Sequence, residues 1–151
     1  MRLGVRAGWF GVMAVAALLT GLAASRAEDA PAAVAPPDRA AIRSVIEHQI
    51  DAFRHDDGAA AFGDASPGIR RMFGDAATFL DMVKRGYAPV YHPRSFAFGP
   101  LTDAEGKIVQ HVELVGPDGA RAEALYVMER ESDGTWRIDG CMLTAPAEVG
   151  A

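Results

Sequence analysis

The sequence predicts an α+β domain in which helices pack on one face of a curved four-stranded antiparallel meander. Apolar residues recur at helical spacing in the first half of the chain, up to about residue 85. From Ser95 onward the pattern alternates, and three glycine-containing turn clusters divide this half into four strand-length segments. Because the connecting turns are short, neighbouring strands should pair antiparallel.

Residues 1–27 have the order of features found in a secretory signal peptide. Arg2 and Arg6 precede an uncharged apolar run, and Ser25 and Ala27 place small residues before a cleavage point after Ala27. We therefore expect a periplasmic or secreted protein with no stable membrane insertion after cleavage. The alternative is an uncleaved signal that anchors the chain in the inner membrane, but the run is short for a span and rich in Ala and Gly.

The single cysteine and the acidic charge limit the function classes. Cys141 is the only cysteine, so the chain forms no internal disulfide, and the residue directly after Ala27 is not a cysteine that could carry a lipid. Removing residues 1–27 takes away three arginines and no acidic residue, which leaves 12 basic against 20 acidic residues and a formal charge of −8. Such a surface repels nucleic acid, so no nucleic-acid partner is expected.

The mature chain has the length of a single domain. Residues 28–37 are rich in Ala and Pro without apolar periodicity, which predicts a disordered linker. Residues 38–146 form the predicted α+β domain, and residues 147–151 are a tail.

The first predicted helix runs over residues 39–55, with Asp38 as its N-cap. Gln49 falls inside its apolar stripe, whereas His48 and Asp51 fall outside it and should face solvent. An inward amide needs hydrogen-bond partners, which a satisfied core contact or a ligand would supply. The stripe consists of Ile42, Val45, Ile46, Ile50 and Phe53.

Three shorter helices follow, each preceded by a capping side chain. Asp57 caps residues 58–64, Ser66 caps a helix that begins at Pro67, and Asp75 caps a helix that ends at Arg85. Gly74 and Gly86 are natural residues for ending a helix. The last helix should bury Phe79, Met82 and Val83.

Strands are predicted at 95–101, 107–115, 121–130 and 135–144. One face of the sheet is polar and should meet water or a partner, so a homodimer through this face is a further prediction. The apolar face, which should pack on the helices, carries Ile108, Val112, Leu114, Ala124, Tyr126, Met128, Trp136, Ile138 and Met142. The polar face carries His111, Glu113, Arg121, Glu123, Glu129, Arg137 and Asp139.

Three segments, 51–62, 65–74 and 82–93, resemble an exported bacterial family catalogued as domain of unknown function 4864. The Ser66-Pro67-Gly68-Ile69-Arg70 segment is the most specific part of this resemblance, which covers most of residues 38–146. The family's arrangement is similar to the nuclear-transport-factor-2-like (NTF2-like), or cystatin-like, cone folds. This likeness implies a bent sheet wrapped around a long helix and a pocket, here in a reduced version without a strand pair before the Asp75–Arg85 helix.

The basic and aromatic residues of the central segment are candidate binding residues. Arg70 and Arg71 are about 100° apart on a helix, so only one can reach a given carboxylate. That carboxylate belongs either to a ligand or to Asp75 or Asp81 in a structural ion pair. Three amphipathic rings either form the rim of a binding site or cover the open end of the core: Tyr87, Tyr91 and His92.

Two function hypotheses follow. In the leading one, the protein is a non-catalytic binding module for a small, partly apolar ligand or an envelope protein, without a metal or other cofactor. Its interior would be lined by Gln49, Gln110 and Tyr126, with Arg70, Tyr87, Tyr91 and His92 at the mouth. In the alternative, an NTF2-like lyase, isomerase or hydrolase uses Tyr126 and His92 as acid–base groups. No carboxylate falls on the apolar face of the predicted strands, which favours the binding module.

Overall fold

The computed structural model describes residues 34–145, in which five helices precede four strands. The predicted signal peptide, residues 28–33 of the predicted linker and residues 146–151 lie outside the described part. The helices are α1 (Pro36–Arg54), α2 (Gly58–Gly63), α3 (Pro67–Phe73), α4 (Ala76–Gly86) and α5 (Ala88–Tyr91). The strands are β1 (Ser95–Ala104), β2 (Lys107–Val115), β3 (Arg121–Arg130) and β4 (Trp136–Thr144).

The four strands form one antiparallel sheet in the order β1-β2-β3-β4, which is open rather than closed into a barrel. This confirms the predicted α+β class and the meander. β1 is three residues longer than predicted because its turn to β2 contains only Glu105 and Gly106. Both turn residues have positive φ, 55° and 83°, which is the geometry that tight hairpins require.

Helix α1 begins earlier than predicted, and Asp38 is not its N-cap. The helix starts at Pro36, within the range predicted as linker, because two prolines suit a first turn in which free N–H groups are not needed. The Asp38 carboxylate instead accepts a 3.0 Å hydrogen bond from Trp136 Nε1. Asp38 therefore ties the start of α1 to the start of β4.

The other capping predictions are confirmed. The side chains of Asp57, Ser66 and Asp75 accept hydrogen bonds from the backbone N–H groups of Ala60, Ile69 and Thr78. Gly74, with a φ of 80°, ends α3. Gly86 differs from its prediction, since it is the last residue of α4 and Tyr87 occupies the C-cap.

The core lies between α1 and the inner face of the sheet, as the two apolar patterns predicted. Each fully buried large aliphatic or aromatic side chain contributes about 1.5–3 kcal/mol to folding. From α1 the buried residues are Ile42, Ile46, Gln49, Ile50, Ala52 and Phe53. From the sheet they include Leu101, Val112, Leu114, Ala124, Tyr126, Met128, Trp136 and Ile138.

A bulge in β4 overturns the prediction that Met142 faces the core. Met128 pairs with Ile138 and Val127 with Gly140, so Asp139 is an extra residue. The alternation of faces shifts by one residue beyond it. Cys141 now opposes Tyr126 on the inner face, and Met142 is 54% exposed.

The segment before α3 covers part of the outer edge of β4. Ser66 N donates to Ile138 O at 2.8 Å, and Ile138 N donates to Asp64 O at 2.9 Å, around a parallel bridge between Ala65 and Ile138. These bonds place α3 beside the bulge in β4.

A second irregularity interrupts β1 between Phe98 and Leu101. The buried Gln110 amide supports it, because Nε2 donates to Gly99 O at 2.9 Å and lies 3.2 Å from Pro100 O. The same nitrogen lies 2.8 Å from His111 O. Gln110 therefore satisfies backbone carbonyls that the bulge removes from the ladder.

Candidate ligand-binding cavity

A cavity of about 230 Å³ lies between α1, α3, α4 and β4. Its wall is mostly apolar, and none of the residues that line it carries a charged side chain. The polar groups in the wall belong to Gln49 on α1, Tyr87 after α4 and Cys141 on β4. Such a site can hold an apolar molecule that makes one or two hydrogen bonds.

Helix α3 forms a thin wall of this cavity. Ile69, Met72 and Phe73 line the cavity, yet no residue of α3 is fully buried and Met72 is 73% exposed. Phe73 packs α3 against α4, because its ring meets the Phe79 ring edge-on with the centroids 5.5 Å apart. The helix thus leaves apolar surface open to solvent at the mouth.

Gln49 occupies the inward position that its place in the α1 stripe predicted. It is only 3% exposed and lines the cavity. Its Nε2 donates a 3.1 Å hydrogen bond to Ala61 O at the end of α2. A primary amide has two hydrogens and an oxygen that accepts, so this bond uses only part of its capacity.

Tyr87 and Cys141 form the polar part of the opposite wall. The Tyr87 hydroxyl donates to Cys141 O at 3.0 Å, which ties the end of α4 to the strand beyond the bulge. Burial raises the pKa of the Cys141 thiol to about 12. The thiol is therefore protonated at neutral pH and is a poor nucleophile.

Tyr126 was predicted to line the interior, but it lies in the core and does not line the cavity. Within residues 34–145 its buried hydroxyl has no hydrogen-bond partner. Burial raises the pKa of Tyr126 well above its ordinary value. Gln110 likewise does not line the cavity; its amide donates to Gly99 O at the bulge in β1.

His92 and Tyr91 lie outside the cavity wall. The His92 side chain is 44% exposed, and its Nε2 is 3.8 Å from Asp56 Oδ1. Its ring stacks on Tyr91 at a centroid distance of 4.1 Å, and Tyr91 also packs against Phe53. The enzyme hypothesis requires His92 and the Tyr126 hydroxyl to meet in the cavity. The structure instead places His92 outside the cavity wall and the Tyr126 hydroxyl in the core.

Arg70 and Arg71 are both exposed on α3. Among residues 34–145, neither forms the ion pair with Asp75 or Asp81 that the sequence left open. The Asp75 carboxylate accepts from Thr78 N at 2.7 Å, and this capping bond lowers its pKa.

Two histidine contacts were missed by the sequence analysis. His48 was expected to face solvent; its side chain is indeed exposed, but Nδ1 lies 2.6 Å from Oδ2 of the buried Asp64. This contact raises the pKa of His48, chiefly through the hydrogen bond, while burial raises the pKa of Asp64 against the opposing influence of His48. Sixteen residues separate the two, so no local spacing indicated the pair.

The second contact lies on the outer face of the sheet, away from the cavity. His111 Nδ1 is 2.8 Å from Glu123 Oε1, and its Nε2 is 3.2 Å from Thr102 Oγ1. The sequence placed His111 and Glu123 on this face but did not indicate that they touch, because register decides which cross-strand neighbours meet.

The described part of the chain lacks two further features, a metal-binding cluster and a helix that could span a membrane. Within residues 34–145, no three His, Cys, Asp or Glu side chains are grouped so that they could hold a metal ion. Of the helices in the described part of the chain, none has the length and apolarity needed to cross a membrane.

The fold and the cavity define an α+β domain with an uncharged, largely apolar internal site. The chain belongs to the family described as domain of unknown function (DUF4864), whose model matches residues 35–151. Neither the curated proteins nor the solved structures contain a match to the chain. The likeness to the NTF2-like cone folds therefore stays a prediction.

Proposed function

We propose that this protein is a non-catalytic periplasmic binding module that holds a small, partly apolar molecule in the cavity between α1, α3, α4 and β4. The observation that carries the proposal is the cavity wall, which is apolar, has no charged side chain and includes the buried Gln49 amide. Its volume of about 230 Å³ exceeds that of an apolar cavity of about 150 Å³ known to bind benzene.

Gln49 and Tyr87 are the sequence-predicted residues that line this cavity. Gln49 would fix the orientation of the ligand by hydrogen bonding, since an amide both donates and accepts. Tyr87 would contribute mainly its ring, because its hydroxyl is already bonded to Cys141 O. Gln110 and Tyr126 have supporting roles in the core.

The enzyme hypothesis is less well supported by the same geometry. An acid–base mechanism needs a titratable group at the reacting atoms with a pKa near neutrality. The titratable side chains in the cavity wall are Tyr87 and Cys141, and burial holds the Cys141 thiol protonated. His92, the other proposed acid–base group, is exposed beside Asp56.

An envelope protein that inserts an apolar side chain into the cavity is the second candidate. The exposed Met72 at the mouth favours it, because flexible, polarizable methionine is common at binding surfaces. A homodimer through the outer sheet face is compatible with either candidate. The two candidates differ in what accompanies the protein when it is isolated gently.

Native mass spectrometry of the protein isolated from its own periplasm tests the proposal. A bound small molecule is the expected result, and a stoichiometric protein would favour the second candidate. Val83→Phe, which places a larger side chain in the cavity wall, should abolish retention of the small molecule. Val115→Phe makes the same change outside the cavity and should retain it. Equal retention by both folded variants would contradict the proposed site.

The periplasmic location has its own test. Fractionation should place the protein in the periplasm, and N-terminal sequencing of the mature chain should begin at Glu28. A chain that keeps Met1 and sediments with the inner membrane would contradict cleavage.

A further inference from the structure

We propose that the ligand is a neutral aromatic molecule of the phenol class, whose ring packs in the cavity and whose hydroxyl donates a hydrogen bond to Gln49. The inference rests on the proposed function and adds the chemical class of the ligand. Two observations carry it: a buried amide oxygen without a partner among residues 34–145, and a wall that combines aromatic rings with sulfur atoms.

The amide oxygen of Gln49 is open to a hydrogen bond from a ligand. Its Nε2 donates to Ala61 O, which can only accept, and this bond assigns the other atom of the amide as the oxygen. Within residues 34–145, the buried side-chain atoms that lack a hydrogen-bond partner are Tyr126 Oη and Glu131 Oε1. Gln49 Oε1 is not one of them, although it accepts no hydrogen bond from the described residues. It therefore meets space that a water-sized molecule can enter, and Gln49 lines the cavity.

The other polar groups of the wall also favour a ligand that donates. The Tyr87 hydroxyl gives its proton to Cys141 O, so its oxygen has only lone pairs to offer. The Cys141 thiol is a weak donor. A carboxylate or ammonium group on the ligand would lose its hydration in this uncharged wall without gaining an opposite charge. A neutral ligand with a hydroxyl proton matches these groups.

The apolar part of the wall suits an aromatic ring. Phe79 lies within a group of rings, because its centroid is 6.1 Å from that of Phe53 and 5.5 Å from that of Phe73. These three rings and the Tyr87 ring all line the cavity. Aromatic rings attract one another through tilted and edge-to-face contacts, in addition to the burial of their area. An aromatic ligand gains these contacts and a saturated one does not.

Sulfur atoms and the size of the cavity favour the same class. Three sulfur-containing side chains line the cavity, those of Met72, Met82 and Cys141. Thioether sulfur makes favourable contacts with the edges of aromatic rings. An apolar cavity of about 150 Å³ holds benzene, so about 230 Å³ leaves room for a benzene ring with a short substituent. A phenol with a small alkyl group therefore fits both the volume and the chemistry of the wall.

Calorimetric titration with 4-propylphenol and 4-propylanisole tests the hydrogen bond, because the anisole carries a methyl group in place of the hydroxyl proton. Gln49→Met removes the amide and keeps the length of the side chain. It should weaken binding of 4-propylphenol about threefold to tenfold and leave 4-propylanisole within about twofold. In the unmodified protein, the NMR signal of the Gln49 side-chain amide should shift with the phenol and much less with the anisole. This second measurement does not depend on the folding of the variant.

Phe73→Leu tests the aromatic contact by comparing 4-propylphenol with 4-propylcyclohexanol, which has the same carbon skeleton and a saturated ring. The variant should weaken binding of the phenol about twofold to tenfold more than binding of the cyclohexanol. Phe98→Leu is the matched control, since Phe98 is also half-buried but packs beside Phe96, outside the cavity wall. It should change binding of neither compound.

The outcomes separate this inference from the proposed function. If Val83→Phe abolishes binding of 4-propylphenol but Gln49→Met weakens the phenol and the anisole equally, the cavity is a binding site and the hydrogen bond is wrong. Equal losses of the phenol and the cyclohexanol in Phe73→Leu would overturn the aromatic class. If 4-propylphenol does not bind the unmodified protein, the inference is overturned, whereas the proposed function is judged by the molecule retained in native mass spectrometry.

Discussion

The Ser66 hydroxyl donates a 2.7 Å hydrogen bond to Asp139 Oδ1, which joins the start of α3 to the bulge in β4. The same oxygen accepts from Ile69 N at 3.2 Å and so caps the helix. Ser66 is fully buried. One hydroxyl therefore positions the helix that walls the cavity.

Ser66→Ala should lower the free energy of unfolding by about 1–2 kcal/mol, because it removes a cap and leaves Asp139 without its donor. Urea denaturation measures the change. Ser132→Ala, at an exposed turn position, is the control and should have an effect below about 0.5 kcal/mol. An equally small effect at position 66 would show that the two bonds do not hold α3.

Tyr126→Phe should leave stability unchanged or raise it by about 1 kcal/mol. The Tyr126 hydroxyl is buried without a hydrogen-bond partner among the described residues, and removing such a group relieves a desolvation penalty. Tyr87→Phe is the matched comparison. It should lower stability by about 1 kcal/mol, because it removes the bond to Cys141 O. Thermal unfolding of both variants measures these changes in stability. A clear loss of stability in Tyr126→Phe would contradict the claim that its hydroxyl has no stabilising partner.

His48→Ala should destabilise the protein at about pH 5 and have less effect at about pH 8. The contact with Asp64 raises the folded-state pKa of His48 above its ordinary value of 6.5. The stability that this contact contributes is therefore complete below pH 6.5 and is lost as the pH rises through the raised pKa of His48. Since the His48 side chain is mostly exposed, the effect at low pH should be only about 0.5 kcal/mol.

His55→Ala is the control for this pH dependence, because His55 is an exposed histidine that follows the same helix. Denaturant unfolding of both variants across the pH range is the measurement. A loss in His48→Ala that is the same at both pH values would indicate lost packing rather than a lost charge interaction.

Cys141 should react very slowly with a disulfide reagent in the folded protein and rapidly after unfolding. Burial raises its pKa to about 12, so the reactive thiolate is scarce until the chain opens. Because Cys141 is the only cysteine, the released chromophore reports this thiol alone, and Cys141→Ser gives the blank. A bound ligand should slow the folded-state reaction further. Fast labelling of the native protein would mean that the cavity opens readily.

The elements of the fold were predictable because their signals are local. Asp57, Ser66 and Asp75 were identified as caps from their position before an apolar run, and each accepts the expected backbone bond. The turn clusters gave the bounds of β2, β3 and β4 to within one residue, whereas β1 extends into the predicted turn as far as Ala104. Asp38 had the same local signal and failed, because Pro36 and Pro37 start the helix first and Trp136 provides a donor from β4.

The composition of the cavity was less predictable because it depends on register and long-range packing. Gln49 was found from helical periodicity, which the helix obeys. Cys141 and Met142 exchanged faces because one extra residue, Asp139, enters β4, and bulges have no reliable signal in a single sequence. Gln110 was placed on the correct face, but the bulge in β1 uses its amide.

The bulge at Gly99 and Pro100 also bears on how copies of this protein behave at high concentration. β1 is a terminal strand of the open sheet, and such a strand can recruit another chain through its unpaired backbone groups. Pro100 has no N–H to offer, and the kink beside it breaks the straight ladder that an incoming strand would need. This end of the sheet should therefore resist fibril-like stacking, even though the chain has an open sheet and no disulfide to restrain it.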